Sequence, residues 1–131
     1  MKKLFYIIIL TFFKLNLAYS LIEVDITRGN LDPLPIAISP LHVDSQSENY
    51  EDVKIKELGN LISSVIEKNF KSTGLFNPLN KDAFVQKPDI AHLKPRFEDW
   101  RLITAQALVT GKLLVKDGKL KVEFRLWDLA A

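Results

Sequence analysis

Residues 109–126 read V-T-G-K-L-L-V-K-D-G-K-L-K-V-E-F-R-L, and the way this stretch folds on itself decides what kind of domain the chain can form. Asp117-Gly118 is a two-residue turn signal, because a type I′ turn needs positive φ at both central positions. Closing the chain there sets Val115 opposite Leu120, Leu113 opposite Val122, Gly111 opposite Phe124 and Val109 opposite Leu126, on one face. The other face sets Lys112 against Glu123, Thr110 against Arg125 and Leu108 against Trp127. A slip of one residue would turn the apolar set over, so the register is strongly specified. Gly111 opposite Phe124 leaves room for the aromatic ring.

Upstream of the hairpin, one long helix is expected between Tyr50 and Thr73. Leu58, Leu61, Ile62, Val65, Ile66 and Phe70 recur at three- and four-residue steps, which makes a stripe facing a core. Asn49 is placed to cap its start, with Glu51 and Asp52 in the first turn, where the helix dipole favours negative charge. Gly74 is the expected stop, since a left-handed terminal residue costs glycine nothing. Leu75-Phe76 then returns to the core. Residues 81–94 read as irregular, with one helical turn near Asp82–Val85, and Pro95 opens a short helix carrying Phe97, Trp100 and Arg101 on one face.

The front of the chain reads differently. Met1-Lys2-Lys3 is positive, Leu4–Phe13 is apolar and uncharged, Lys14 closes the run, and Ala18-Tyr19-Ser20 supplies small residues. This is a secretory signal peptide, 1–20, with cleavage expected between Ser20 and Leu21. A run of ten residues spans only about half of a ~30 Å hydrocarbon core, so an uncleaved anchor is the weaker reading, and no membrane insertion is expected after cleavage.

Export changes the composition. Losing Lys2, Lys3 and Lys14 takes the 18 basic residues to 15, against 16 acidic ones. A nearly neutral mature chain has no electrostatic footprint for nucleic acid. With no cysteine, an exported domain must hold together by its core alone. One domain, 21–131, is expected.

Catalytic constellations are missing from the sequence. His42 and His92 lie fifty residues apart with no thiol, and read as separate loop residues and not as metal ligands. Ser63 and Ser64 lie inside the long helix, and no G-x-S-x-G elbow occurs. Glu51-Asp52 and Glu98-Asp99 are adjacent residues that point apart on a helix, so neither pair converges on one spot. The five glycines form no phosphate-cradling loop. No catalytic residue, cofactor or metal is expected, nor any small-molecule substrate. Phe97, Trp100 and Trp127 are the candidates for a ligand-stacking surface, with core packing as the ordinary alternative.

What stands out is the strand that opens the mature chain. Leu21–Thr27 alternates, with Ile22, Val24 and Ile26 on one side and Glu23, Asp25 and Thr27 on the other. Arg28-Gly29-Asn30-Leu31-Asp32-Pro33-Leu34-Pro35 follows as a turn or extended connector, and Ile36–Ile38 as a second strand. A terminal strand of this kind can sit in its own sheet, or add to a partner's sheet through main-chain hydrogen bonds.

Four stretches together resemble the amino-terminal domain of the TolB family of the Tol-Pal envelope system. They are I-E-V-D-I-T-R-G-N-L-D-P-L-P-I-A (22–37), K-S-T-G-L-F-N-P-L (71–79), P-R-F-E-D-W-R-L-I-T-A-Q-A-L-V-T-G-K-L (95–113) and K-V-E-F-R-L-W-D (121–128). The resemblance implies an α/β fold: a mixed β-sheet with one long and one or two short helices packed on it. It implies a non-enzymatic periplasmic protein that supports outer-membrane integrity and constriction at cell division. It further implies that the first mature segment binds the carboxy-terminal domain of TolA. The positions that carry over are Leu21, Ile22, Glu23, Val24, Asp25, Ile26, Thr27, Arg28, Gly29, Asn30, Leu31, Asp32 and Pro33, with Ile22, Val24 and Ile26 making the side-chain contacts. In that family a β-propeller follows and carries the docking surface for Pal, so 21–131 reads as a truncated domain in which the sheet is incomplete and the Pal site is expected to be absent. A small-ligand-binding periplasmic module and a non-functional fragment of a split gene are the alternatives.

Overall fold

A computed structural model describes residues 32–131. The strands are β1 (Leu34–Ile38), β2 (His42–Val43), β3 (Phe76–Pro78), β4 (Ala107–Lys116) and β5 (Lys119–Asp128). The helices are α1 (Val53–Ser72), α2 (Pro88–Ala91) and α3 (Phe97–Leu102), with a 3₁₀ turn at Lys81–Ala83. The expected strand at Leu21–Thr27 lies outside the described residues.

The hairpin adopts the register read from its sequence. Asp117 and Gly118 take φ of 53° and 65°, as a type I′ turn requires. Ten pairs run from Lys116 opposite Lys119 to Ala107 opposite Asp128, including Leu113 opposite Val122 and Gly111 opposite Phe124. Since β5 fills one edge of β4 along its whole length, the parallel partners must share the other. β1 pairs with Ala107–Val109 and β2 with Lys112–Leu113, so the two short strands follow one another along one edge, interrupted at Ser39-Pro40-Leu41. β3 pairs parallel to β1 on its far side. The sheet is therefore mixed, and the domain is α/β.

Both faces of the sheet are packed. On one, Ile36, Ile38 and Val109 are buried against Ile66 and Phe70 of α1. Further along that face, Leu41, Val43 and Leu113 pack with Ile55, Leu58 and Ile62. On the opposite face Ala37 and Leu108 meet Ala91, Trp100, Ala105 and Leu129. β1 and the first half of β4 are thus buried on both sides, as expected for strands with parallel neighbours.

Several local expectations are corrected. The long helix starts at Val53, capped by Asp52, whose carboxylate accepts the Lys54 N–H at 2.8 Å. Asn49 lies in the preceding turn with φ of 54°, and Glu51 lies before the helix. An aspartate three residues nearer the apolar stripe outcompetes asparagine, because its carboxylate also favours the dipole. Gly74 does end the helix region with φ of 71°. Phe76–Pro78 forms a strand where only a return to the core was expected. β1 begins at Leu34, so Pro35 lies within it. Its carbonyl accepts from Gln106 N at 2.9 Å, one residue before β4 begins, and its missing donor leaves no ladder bond unmade.

Candidate partner-binding site

Residues 21–31 of the expected partner-binding segment, and the Ser20–Leu21 cleavage position, lie outside the described residues. The last two members of the segment, Asp32 and Pro33, are exposed and lead directly into Leu34. Leu34 N donates to Leu75 O at 2.9 Å, which fixes the start of β1. β1 has β3 on one side and β4 on the other. The connector therefore joins the sheet at a strand with no free edge of its own.

The two outer strands differ sharply. β3 is three residues long and ends in Pro78, a poor template for another strand. β5 is ten residues long, carries no proline, and has no strand on its outer edge among the described residues. Leu120, Phe124 and Leu126 alternate on the α1 side of the sheet and are 50%, 52% and 69% exposed. The apolar face predicted for the hairpin is thus covered on β4 and open on β5 except at Val122, which packs with Leu41 and Leu113. The atoms nearest to where a Cβ at Gly111 would stand are the Glu123 carbonyl and the Leu41 side chain.

Charged residues occupy the other face of β5. Lys121 Nζ lies 2.8 Å from Glu123 Oε1, and Lys112 Nζ lies 3.7 Å from Glu123 Oε2. The hydrogen bond from Lys121, then the charge of Lys112, holds the Glu123 carboxyl below the usual carboxylate range, and the same bond raises Lys121. These groups are solvent-exposed and blunt the strand with charge.

Phe97, Trp100 and Trp127 do not come together as a ligand-stacking surface. Trp100 is buried, edge-on to Phe84 at 5.0 Å, and its indole N–H donates to Gln86 Oε1 at 3.0 Å. Trp127 packs against Phe97 at 5.5 Å and donates to Thr110 Oγ1 at 2.9 Å. Both indoles spend their one polar group on an internal acceptor. Recesses of about 300 and about 460 Å³, the first bordered by His42, Tyr50 and Lys56 and the second by Ser64, Lys71 and Lys81, include none of the three rings.

Two juxtapositions escaped the sequence. Lys81 Nζ lies 2.9 Å from Ser63 Oγ, from a position eighteen residues away, and 3.3 Å from a Glu67 oxygen. Here the lysine donates to the hydroxyl, while Ser63 donates to Asn60 O at 2.9 Å. That is the reverse of the proton flow that activates a nucleophile. Ser63 is also fully buried in α1, so the contact ties the 3₁₀ turn to the helix. The second juxtaposition is His42 with His92, whose rings stack with centroids 4.4 Å apart. Neither is the isolated loop residue that the sequence suggested, since His42 lies in β2 and His92 caps the end of α2. Among the described residues no group of three or more His, Cys, Asp or Glu could hold a metal ion, and no helix is long and apolar enough to cross a membrane.

The domain thus combines a buried parallel strand, a long helix on one face of the sheet, short helices on the other and an edge hairpin. The family model of the TolB amino-terminal domain matches residues 22–131, which takes in every described element. The chain belongs to that family. The Tol-Pal system protein TolB of Pelagibacter ubique (strain HTCC1062) is 63% identical over 116 residues. That alignment covers 87% of this chain and 26% of the relative, so the chain spans about a quarter of the length of the TolB it matches.

Proposed function

We propose that this chain is a non-enzymatic periplasmic component of a Tol-Pal system, exported by residues 1–20, cleaved after Ser20, with 21–131 as its mature domain. Its first mature segment, Leu21–Pro33, binds the carboxy-terminal domain of TolA by adding an extended strand to that partner's sheet. Main-chain groups supply the pairing, and Ile22, Val24 and Ile26 supply the apolar contacts on one side. Through this link the domain supports outer-membrane integrity and constriction at division.

The observation that carries the reading is the family match, which begins at Ile22, one residue past the expected cleavage site. The 63% identity to a protein of the Tol-Pal system supports the same assignment. Alternation within 21–27 suits a strand that contacts a partner on one side and water on the other. Asp32 and Pro33 are exposed, which suits a segment that approaches a partner from the start of β1.

The test is a deletion. A mature chain lacking residues 21–33 is compared with the intact one in a calorimetric titration against the TolA carboxy-terminal domain. Loss of binding with an unchanged far-ultraviolet circular dichroism spectrum is the expected result. Equal affinity of the two chains refutes the proposal.

A further inference from the structure

The chain has two histidines, and the fold stacks them. Their ring centroids are 4.4 Å apart and their planes differ by 6°. His42 belongs to β2, whereas His92 stands at the end of α2, in the loop between Gln86 and Arg96. His92 Nδ1 lies 2.9 Å from Pro88 O. A carbonyl only accepts, so Nδ1 carries the hydrogen and Nε2 is the position left to take up a further proton.

The loop is held in two different ways at its two ends. At its base the buried Gln86 amide donates to Lys94 O at 3.0 Å, and its oxygen accepts from Arg96 N at 2.9 Å and from Trp100 Nε1 at 3.0 Å. None of these groups titrates near neutral pH. At its tip the helix is four residues long and touches β2 and β4. Ala91 is buried there, but Ile90 and Leu93 point outward. Ala91 is the fully buried side chain of the tip, and the imidazole stack is a second contact that seats it on β2. Segments with so few buried contacts open at a smaller free energy than the fold as a whole.

We propose that the His42–His92 stack is a proton-sensitive latch: neutral, it seats the 88–92 tip on β2, and acidification releases that tip while the Gln86 base stays closed. Two neutral imidazoles stack without charge. One proton leaves a cation over a neutral ring, and the second sets two like charges face to face. The surrounding charges do not offset that. Asp89 on α2 and Asp44 after β2 favour protonation of His42, while Lys112 of β4 opposes it. Lys56, Lys87 and Asp89 border the recess beside His42. Lys112, Glu123 and Arg125 border the recess that His92 shares with β4 and β5. Cations and carboxylates are mixed around both rings, and among the described residues no carboxylate hydrogen-bonds either one.

Burial, followed by the His92 charge, lowers the pKa of His42 from 6.5 despite the two aspartates. A depressed histidine favours the neutral, stacked state. The seating it contributes is complete above the ordinary histidine pKa, and is lost as pH falls through that value toward the lower one of the folded state. Export, as proposed above, would expose such a latch to the pH of the medium.

Amide hydrogen exchange on the purified chain tests this, read as protection relative to intrinsic rates so that the chemistry of exchange cancels. Between about pH 7.5 and about pH 5, protection of residues 88–93 should fall roughly tenfold or more while that of α1 holds. His92→Phe keeps an aromatic ring on His42 but leaves a single charge, and the drop should be clearly smaller than in the wild type, the part due to His42 burial remaining. Equal protection of the wild-type tip at both pH values overturns the latch, as does a full drop that persists in both His42→Phe and His92→Phe. Should a phenylalanine variant fail to fold, NMR titration of the wild-type rings decides. Two coupled transitions, one below the ordinary range, support the stack, and two independent ones near the ordinary value refute it.

Discussion

The Leu41 N–H donates to the Gly59 carbonyl at 3.2 Å, so the interruption between β1 and β2 is bonded straight onto the backbone of α1. A Cβ at position 59 would fall on the Leu41 carbonyl oxygen, which leaves glycine as the residue that permits this approach. Leu41 also fills the space above Gly111, so two glycines from different elements bracket one leucine.

Gly59→Ala should therefore destabilise the domain by about 3 kcal/mol, the upper end of overpacking costs, because backbone meets backbone and no rotamer relieves it. Gly74→Ala meets open space and should lose only about 1–2 kcal/mol, the cost of a side chain at positive φ. Urea unfolding of the two variants measures the difference. A Gly59→Ala chain as stable as the wild type would mean that α1 and Leu41 are farther apart than described.

The Gln86 side chain is a second point where one residue holds several parts together. Its amide bonds Lys94, Arg96 and Trp100 while almost wholly buried. Gln86→Leu removes three bonds and strands a buried indole N–H, and should lose about 3 kcal/mol. The Trp100 fluorescence should shift as its donor loses its partner.

The hairpin offers a contrast within one register. Leu108 is fully buried between the β-sheet neighbours and α3, so Leu108→Ala should destabilise by about 2–5 kcal/mol. Leu126, mostly exposed on β5, should tolerate alanine within about 0.5 kcal/mol. Thermal denaturation of the pair tests whether the open apolar face of β5 contributes to stability.

These contrasts show what the sequence could and could not convey. Alternation and the Asp117-Gly118 turn specify the hairpin register completely, because pairing is a local consequence of the turn. Periodicity located α1 for the same reason, and the glycine stop came from local backbone sterics. Which side of a strand is covered is a tertiary matter: Val109 and Leu126 are paired and both apolar, yet only the first lies under a helix. Gln86 and Leu41 gave no signal because their roles depend on elements far away in sequence. The proposed site could be read only as an alternating segment that the expected cleavage would leave at the front of the chain, and its proposed partner rests on family resemblance, not on its chemistry. The histidine stack was invisible because nothing in a fifty-residue separation announces contact.

Thr104 takes φ of 68°, in the left-handed region where a β-branched residue is strained, between α3 and β4. It is exposed, so its side chain has little packing to lose. Thr104→Gly should relieve about 1 kcal/mol or more of strain, partly offset by the greater freedom of glycine in the unfolded chain. A modest rise in melting temperature is the expected outcome, and a fall of several degrees would show that the threonine side chain has a contact of its own.

The proposed TolA contact makes its own demand on residue type. If main-chain pairing carries binding, a proline in the middle of the segment should be worse than any loss of side chain. Val24→Pro removes one donor and puts a ring where the partner strand would approach, and each lost bond of this kind is worth roughly 1 kcal/mol. With pairing disrupted on both sides of the substitution, affinity for the TolA carboxy-terminal domain should fall at least about tenfold. Glu23→Ala, on the face opposite Ile22, Val24 and Ile26, should change it by less than about threefold. Equal losses for the two variants in a calorimetric titration would point to charge recognition in place of strand addition, since only the proline attacks the backbone.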